Sequence, residues 1–215
     1  MTGPEAVTGP QAVTGPQAVT DRRPVTGRAR VGAAVLAAGA GSRFVTEDGT
    51  HKLLARWRGR PVVAWAADAA LAAGLARTWV VTGAADLSGV LPAEVELLAN
   101  PRWSEGQATS LQVAVAAADA AGLDALVVGL GDQPGVPASA WSAVAGHDGA
   151  IVVATYDGRR RNPVRLSRAV WPLLPTTGDQ GARVLIRSRP DLVAEVACDG
   201  QPGDIDTTED LLRWS

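Results

Sequence analysis

The chain has 215 residues, 47% of them hydrophobic, which is enough apolar surface to form the core of one domain. Its 20 Lys and Arg residues against 22 Asp and Glu residues give a formal charge of -2, which argues against a nucleic-acid partner. The single cysteine, Cys198, excludes an intramolecular disulfide and any metal site built from several cysteines. The N-terminus lacks a signal-peptide layout and no apolar run could cross a bilayer, so we expect a cytoplasmic protein without a membrane partner.

The first residues form a low-complexity repeat. Residues 2–19 read TGPEAV, TGPQAV and TGPQAV, with proline and glycine in every unit. Proline and glycine interrupt helix and ladder hydrogen bonding, and few large apolar side chains are present to offset the entropy of ordering. We therefore predict a disordered tail over residues 1–29 and one folded domain over residues 30–215.

From Val31 onward, apolar strands alternate with alanine-rich helices. Such alternation is typical of βα units, in which helices cover both faces of a parallel sheet. The predicted fold is therefore α/β, a single three-layer Rossmann-like domain with a mostly parallel sheet. We predict strands over residues 31–38, 78–82, 95–98, 125–130 and 151–156, and helices over residues 61–73 and 107–121.

A glycine-rich turn follows the first strand. Gly39 and Gly41 lie in it, Arg43 comes directly after, and Lys52 follows further along. A loop without Cβ atoms lets consecutive backbone N–H groups approach an anion, and the two cations can add positive charge. The turn is either a phosphate-binding loop or an ordinary connection between a strand and a helix.

Ligands of parallel sheets bind beyond the carboxyl ends of the strands. Three segments follow predicted strands in this sequence, at residues 39–52, 100–110 and 131–134. We expect all three to converge on one rim of the sheet.

Two turns contain aspartates that are candidate metal ligands. Asp132 ends an apolar strand in a Gly-Asp-Gln-Pro turn, where it either stabilises the turn or binds Mg²⁺. Asp204 and Asp206 share one side of an extended segment, and each is either a second ligand or a helix cap. A glycine-rich loop combined with two acidic turns favours a metal-dependent phosphate site.

A basic stretch surrounds Asn162. It is either a solvated hairpin or an anion-binding patch, because guanidinium groups suit phosphate. Residues 177–183 either end one helix and begin the next or, through their two glycines, allow a ligand to approach the backbone. The arginines of the basic stretch are Arg159, Arg160, Arg161, Arg165 and Arg168.

Several common signatures are absent from the sequence. It contains no GxxxxGK[ST] motif, which argues against a P-loop NTPase, and no GxSxG nucleophile elbow. Phe44 stands where a dinucleotide-binding fingerprint has its third glycine.

Six ordered motifs together resemble the molybdenum cofactor cytidylyltransferases, a family of MobA-like nucleotidyltransferases related to molybdopterin-guanine dinucleotide synthase. They cover the chain from Val31 onward. The resemblance implies a Rossmann-like fold of the nucleotide-diphospho-sugar transferase type. The motifs are LAAGAGSRF with a following KLL, NPRWSEGQATSL, GDQP, NPV, GDQGAR and DIDTTEDL.

The resemblance also implies an activity, which is Mg²⁺-dependent transfer of a nucleoside monophosphate to the phosphate of a molybdopterin-type acceptor, with release of pyrophosphate. CTP is the favoured nucleotide, and a molybdoenzyme or its maturation chaperone is a candidate protein partner. Arg43, Lys52 and Asp132 would be catalytic, and Asp132 and Asp206 would hold the metal. Binding of nucleotide and acceptor would fall to Leu36, Ala37, Ala38, Gly39, Ala40, Gly41, Asn100, Ser110, Asn162, Asp179 and Arg183.

Three departures from the family pattern are visible, one of which is Thr208 in place of the proline usual in a DIDTPEDL motif. Residues 45–51 look like an insertion between Arg43 and Lys52, and Asn162 stands where many relatives have histidine before Pro-Val. Two alternative functions stay open. One is an NAD(P)H-dependent oxidoreductase of the nicotine blue oxidoreductase type on the same scaffold, and the other is a non-catalytic cofactor-binding module.

Overall fold

The computed structural model describes Met1, Gly3 and residues 29–214. The disordered tail predicted over residues 1–29 falls, apart from Met1, Gly3 and Ala29, outside the described residues. Among the described residues, no helix is long and apolar enough to cross a membrane.

The domain is built from strands and helices that alternate along most of the chain. Short 3-10 turns occur at Trp103–Glu105, Arg168–Leu173 and Pro190–Leu192. In chain order the elements are β1 (Val31–Ala37), β2 (Arg56–Trp57), β3 (Arg60–Pro61), α1 (Val62–Ala72), β4 (Thr78–Thr82), β5 (Glu96–Ala99), α2 (Gln107–Ala120), β6 (Ala125–Leu130), α3 (Ala138–Ala145), β7 (Ile151–Tyr156), β8 (Arg159–Ser167), α4 (Arg183–Ser188), β9 (Val193–Ala197) and α5 (Thr208–Trp214).

One seven-stranded sheet forms the middle layer, in the order β5-β4-β1-β6-β8-β7-β9. Neighbouring strands pair in parallel from β5 to β6, and β7 pairs in parallel with β9. Strand β8 is antiparallel to both of its neighbours, β6 and β7, so it alone in this sheet runs against the others. The predicted α/β fold with a mostly parallel sheet is confirmed.

The alternation of side chains along β1 explains why the sheet is covered on both sides. Ala33 and Val35 belong to a core shared with α1 and α3, whereas Ala34 and Leu36 belong to a core shared with α2. Successive side chains of a strand point to opposite faces, so a continuous apolar run serves two cores.

The predicted elements agree closely with the observed ones. The strands predicted over residues 78–82, 125–130 and 151–156 have the same bounds in the structure. The other predicted elements differ from the observed ones by one residue, at one end for β1 and α2 and at both ends for β5 and α1. The sequence did not indicate β8, because its first three residues are exposed arginines and it lacks the apolar run of the other central strands.

Close packing at Gly129 in β6 gives a test of the core. A Cβ built there would lie 2.5 Å from Cζ2 of Trp141, a side chain that is 2% exposed. We expect Gly129→Ala to lower the free energy of unfolding by about 1–3 kcal/mol, because the indole has little room to move. Urea denaturation measures this change.

Gly89→Ala is the matched control, since a Cβ at Gly89 meets nothing within 4 Å. Its stability should lie within about 0.5 kcal/mol of the native protein. Equal stability of the two variants would contradict the packing of β6 against α3.

Candidate active site

The carboxyl ends of β1 and β6 open onto a cavity of about 320 Å³. All three segments that follow strands in the sequence contribute to its wall, as predicted from the topology. The predicted site residues that line it are Leu36, Ala37, Ala38, Gly39, Ala40, Lys52, Ser110, Asp132 and Asp179.

Lys52 holds the two predicted metal-binding carboxylates together. Its Nζ lies 2.6 Å from Oδ2 of Asp132 and 3.1 Å from Oδ1 of Asp206. The three side chains are 12%, 17% and 23% exposed, so the cluster is largely shielded from water. Asp132 and Asp206, which are far apart in sequence, thus both contact the ammonium of Lys52.

The cluster keeps the ammonium of Lys52 charged. Burial by itself would lower the pKa of Lys52, but the charges and hydrogen bonds of Asp132 and Asp206 outweigh burial and raise that pKa above its ordinary value. At neutral pH the site therefore contains a fixed positive charge beside the cavity.

The apparent insertion at residues 45–51 does not separate the two predicted catalytic cations. Nη1 of Arg43 lies 3.0 Å from Oδ2 of Asp206, the carboxylate that also binds Lys52. Arg43 is 74% exposed and Lys52 is 12% exposed, so one cation lies at the mouth of the site and the other at its base. The longer loop still brings both charges to one carboxylate.

His51, which the sequence did not single out, anchors the glycine-rich turn. Its Nδ1 accepts a hydrogen bond from the N–H of Leu53, so its Nε2 donates to the carbonyl of Gly39 at 3.0 Å. Gly41 has a φ of 63°, and a Cβ there would lie 3.0 Å from Cγ of Lys52. The turn therefore packs directly over His51 and Lys52.

The turn has unpaired backbone donors, and two of its residues, Gly39 and Ala40, line the cavity. Among the described residues, the N–H groups of residues 39–43 have no hydrogen-bond acceptor. Phe44 ends the turn, since its N–H donates to the carbonyl of Gly41 at 2.9 Å. Unpaired amides of consecutive residues are the feature that a phosphate-binding loop requires.

The carboxylates fit a divalent cation that is shared with a ligand. Oδ1 of Asp132 is buried and has no hydrogen-bond partner among the described residues. Among all the described residues, no group of three or more His, Cys, Asp or Glu side chains is placed to hold a metal ion. Mg²⁺ accepts one or two protein carboxylates and completes its shell with phosphate oxygens and water.

Asp204 and Asp206 have different surroundings because Ile205, between them, is fully buried. The N–H of Ile205 donates to the carbonyl of Asp132 at 2.9 Å, and its side chain packs with Phe44 and Trp57. Asp206 then reaches Lys52, and Asp204 reaches Gln133 instead. Burial and the charge of Asp132 raise the pKa of Asp204 above its ordinary value, although the hydrogen bond from Gln133 opposes this.

Gln133 connects three segments of the site and was not among the predicted residues. Its Nε2 donates to Oδ1 of Asp204 at 2.6 Å and to the carbonyl of Pro202 at 3.2 Å. Its Oε1 accepts from Nδ2 of Asn162 at 3.1 Å. The side chain is 2% exposed, so these bonds are shielded from water. Asn162 thus touches the acidic turn through Gln133.

Asn100 is buried behind the cavity wall and is not exposed to the cavity. It is 2% exposed, and its Nδ2 donates to the hydroxyls of Thr109 and Ser110, both at 2.9 Å. Its Oδ1 accepts from the N–H of Arg102. Asn100 therefore shapes the turn before α2, and Ser110 is the residue of the pair that lines the cavity.

Gly106 joins the turn before α2 to the segment around Asp179. Its φ is 109°, and a Cβ there would lie 2.5 Å from the carbonyl carbon of Gly178. The N–H of Ala108 donates to the carbonyl of Gly178 at 2.9 Å. This close approach brings Asp179 to the cavity, which sequence spacing alone could not show.

The five arginines around Asn162 do not form one patch. Arg165 is 5% exposed and donates to the carbonyl of Gly149. Arg168 pairs with Asp119 beyond the opposite end of β8, and Arg160 pairs with Glu195 at 2.7 Å. Arg165 is thus separated from Arg160 by its burial, and Arg168 is separated from Arg160 by the length of β8.

Comparison with known proteins identifies the family. A MobA-like NTP transferase domain matches residues 33–194. The chain belongs to this family. The MobA-like domain is similar to a nicotine blue oxidoreductase of Paenarthrobacter nicotinovorans, with 33% identity over 199 residues, which is 85% of this chain and 95% of that protein.

Two solved structures resemble the MobA-like domain closely. A nucleotidyl transferase from Methanothermobacter thermautotrophicus has 26% identity and a TM-score of 0.71, and the match covers 86% of this chain and 95% of that one. Rv0371C of Mycobacterium tuberculosis, solved in complex with manganese, has 27% identity and a TM-score of 0.69, over 86% and 97% of the two chains. These likenesses agree with the fold.

Gln133 gives a test of how the site is held together. We expect Gln133→Ala to lower the free energy of unfolding by about 1–3 kcal/mol, because buried polar atoms of Asp204 and Asn162 lose their partner. Chemical denaturation measures this. Gln112→Ala is the control, since Gln112 makes one bond, to the carbonyl of Pro175, away from the acidic turn. A larger loss in the control would exclude the proposed connecting role.

Proposed function

We propose that this MobA-like protein is a Mg²⁺-dependent nucleotidyltransferase that moves CMP from CTP to the phosphate of a molybdopterin-type acceptor and releases pyrophosphate. The family supports nucleotidyl transfer in general. CTP and the molybdopterin-type acceptor rest on the resemblance of the six sequence motifs to the molybdenum cofactor cytidylyltransferases.

One observation carries the proposal. Gly39 and Ala40 of the turn with unpaired amides, the cation Lys52 and the carboxylate Asp132 line one cavity. Asp206 adjoins it through its ion pair with Lys52, and Arg43 adjoins it through its ion pair with Asp206. A triphosphate needs donors and cations along its chain, and its metal needs carboxylates. The same cavity supplies both.

The transfer requires no nucleophile from the protein. An oxygen of the acceptor phosphate attacks the α-phosphorus of the nucleotide, the bond from that phosphorus to the bridging oxygen of the β-phosphate breaks, and pyrophosphate leaves with that oxygen. Negative charge increases on the equatorial and leaving oxygens. Lys52 at the base of the site and Arg43 at its mouth are placed to stabilise that charge, and the amides of the turn orient the phosphates.

Asp132 and Asp206 would hold the metal. Mg²⁺ held by these two carboxylates would supply a positive charge to stabilise the charge that develops on the phosphate oxygens. Lys52 already joins the two carboxylates, so it fixes their separation before nucleotide binds. The manganese complex of the similar Rv0371C supports a divalent metal in this part of the family.

The two ligands would occupy opposite sides of Asp132. Ser110 lies on the wall beside the glycine-rich turn, where the nucleoside would bind. Asn162 in β8 and Arg183 at the start of α4 would contact the acceptor, with a molybdoenzyme or its maturation chaperone as the receiver of the product. Asp179 lies between these two regions.

One observation favours a second function. The similar protein of Paenarthrobacter nicotinovorans is a nicotine blue oxidoreductase. The alternative is therefore NAD(P)H-dependent reduction of a quinoid dye on the same scaffold. Phe44, in place of the third glycine of a dinucleotide fingerprint, argues against it.

Incubation with each nucleoside triphosphate, Mg²⁺ and molybdenum cofactor tests the proposal. We expect pyrophosphate release with CTP and none after removal of Mg²⁺ by EDTA, followed with a coupled pyrophosphate assay. Oxidation of NAD(P)H by a quinoid dye, without pyrophosphate release from any nucleotide, would support the oxidoreductase instead. Tight cofactor binding with neither reaction would indicate a binding module.

Asp132→Ala tests the metal site. We expect turnover to fall by at least about 10³-fold. The metal that would neutralise phosphate charge in the transition state loses one of its carboxylate ligands. The control is Asp68→Ala, which removes an exposed carboxylate paired with Arg60. Steady-state pyrophosphate release measures both variants. Near-native turnover of Asp132→Ala would remove the metal role from this residue.

A further inference from the structure

A second cavity, of about 570 Å³, lies on the other side of the Asp132 turn. Gln133 and Asp204 line it, and it extends over β8 and α4. A narrow cavity of about 40 Å³ is lined by Leu36, which also lines the first cavity, and by Asn162, which also lines the second. The two large cavities are therefore neighbours.

The second cavity is surrounded by guanidinium groups. We call it the arginine groove, after Arg160, Arg161, Arg183 and Arg187, which line it. Two carboxylates oppose them, because Glu195 pairs with Arg160 and Asp204 lies on the groove wall. The four guanidinium groups exceed these two carboxylates, and the groove keeps a net positive charge.

Two of the arginines are free to bind a ligand. Arg183 favours the ionised form of Asp204 through its charge. Among the described residues, Arg161 and Arg187 form no ion pair, and Arg161 donates only to the carbonyl of Arg160, at 3.3 Å. Exposed guanidinium groups without a carboxylate are suited to bind phosphate or carboxylate oxygens in pairs.

The groove has both apolar and polar lining residues besides the arginines. Val153, Val164 and Ile186 contribute apolar surface, and Gln133 and Asn162 contribute polar groups on the side of the Asp132 turn. A ligand can therefore make apolar contacts and hydrogen bonds there, with one end near the Asp132 turn and the other at Arg161 and Arg187.

We propose that the arginine groove binds a second anionic group of the acceptor, remote from the phosphate that attacks the nucleotide. This inference rests on the proposed nucleotidyl transfer and adds one property of the acceptor, which is a second anionic group at a distance from the reacting phosphate. An acceptor with a single anionic group would lack the contact with Arg161 and Arg187.

Calorimetric titration of two sugar phosphates tests the groove directly. Fructose 1,6-bisphosphate and fructose 6-phosphate are titrated into the full-length protein after its nucleotide cavity is saturated with α,β-methylene CTP and Mg²⁺. We expect the bisphosphate to bind at least about tenfold more tightly, because its second anion reaches a guanidinium pair. The double variant Arg161→Ala with Arg187→Ala should bind both sugars equally.

The matched control is Arg159→Ala with Arg189→Ala, which removes the same charge from neighbouring positions that do not line the groove. It should keep the preference for the bisphosphate. The inference is wrong if the native protein shows no preference, if the groove variant keeps it, or if both double variants lose it.

Binding of the CTP analogue is measured first, in a separate titration. If the analogue fails to bind, the proposed function is contradicted, and the two sugar phosphates are then titrated without it. A preference for the bisphosphate that depends on Arg161 and Arg187 would still identify the groove as an anion site.

Discussion

The ammonium of Lys52 between the carboxylates of Asp132 and Asp206 is the interaction on which the rest of the site depends. The two carboxylates are 80 and 154 residues from Lys52 in sequence, and the cation offsets the cost of holding both acids close together away from water. Removing the lysine would leave two like charges facing each other. This cluster therefore sets how the C-terminal segment docks on the sheet, and it also presents charge of both signs to one cavity.

The segments around this cluster are fixed by small and specific contacts. His51 bonds the glycine-rich turn to the base of the site, and the longer loop at residues 45–51 is accommodated because Arg43 and Lys52 both reach Asp206. Ile205, buried between the two acidic residues, turns Asp204 toward Gln133. As a result, donors, cations and carboxylates lie at positions that a metal-bound triphosphate could use.

Strand β8 gives the fold its second binding region. Because β8 runs against its neighbours, its N-terminal half, and not its C-terminal end, lies beside the Asp132 turn. The pairing with β7 shifts register between Val153 and Ala154, opposite Asn162, where the chain bulges toward Gln133. Arg160 and Arg161 precede this bulge and reach the groove, whereas Arg165 comes after it and is buried.

The sequence by itself determined the α/β class, the bounds of most strands and the set of segments at the rim, because apolar periodicity and the end of each strand are local properties. It also indicated the glycine-rich turn, Lys52, Asp132 and Asp206. Only the tertiary structure decided that Lys52 joins both carboxylates, that Asn100 is buried behind Ser110 and that Gln133 links three segments. These contacts join residues distant in sequence, so no local pattern encodes them. The arginines show the same limit, since charge density favoured either a solvated hairpin or one anion-binding patch, whereas the structure buries Arg165 and pairs Arg168 with Asp119.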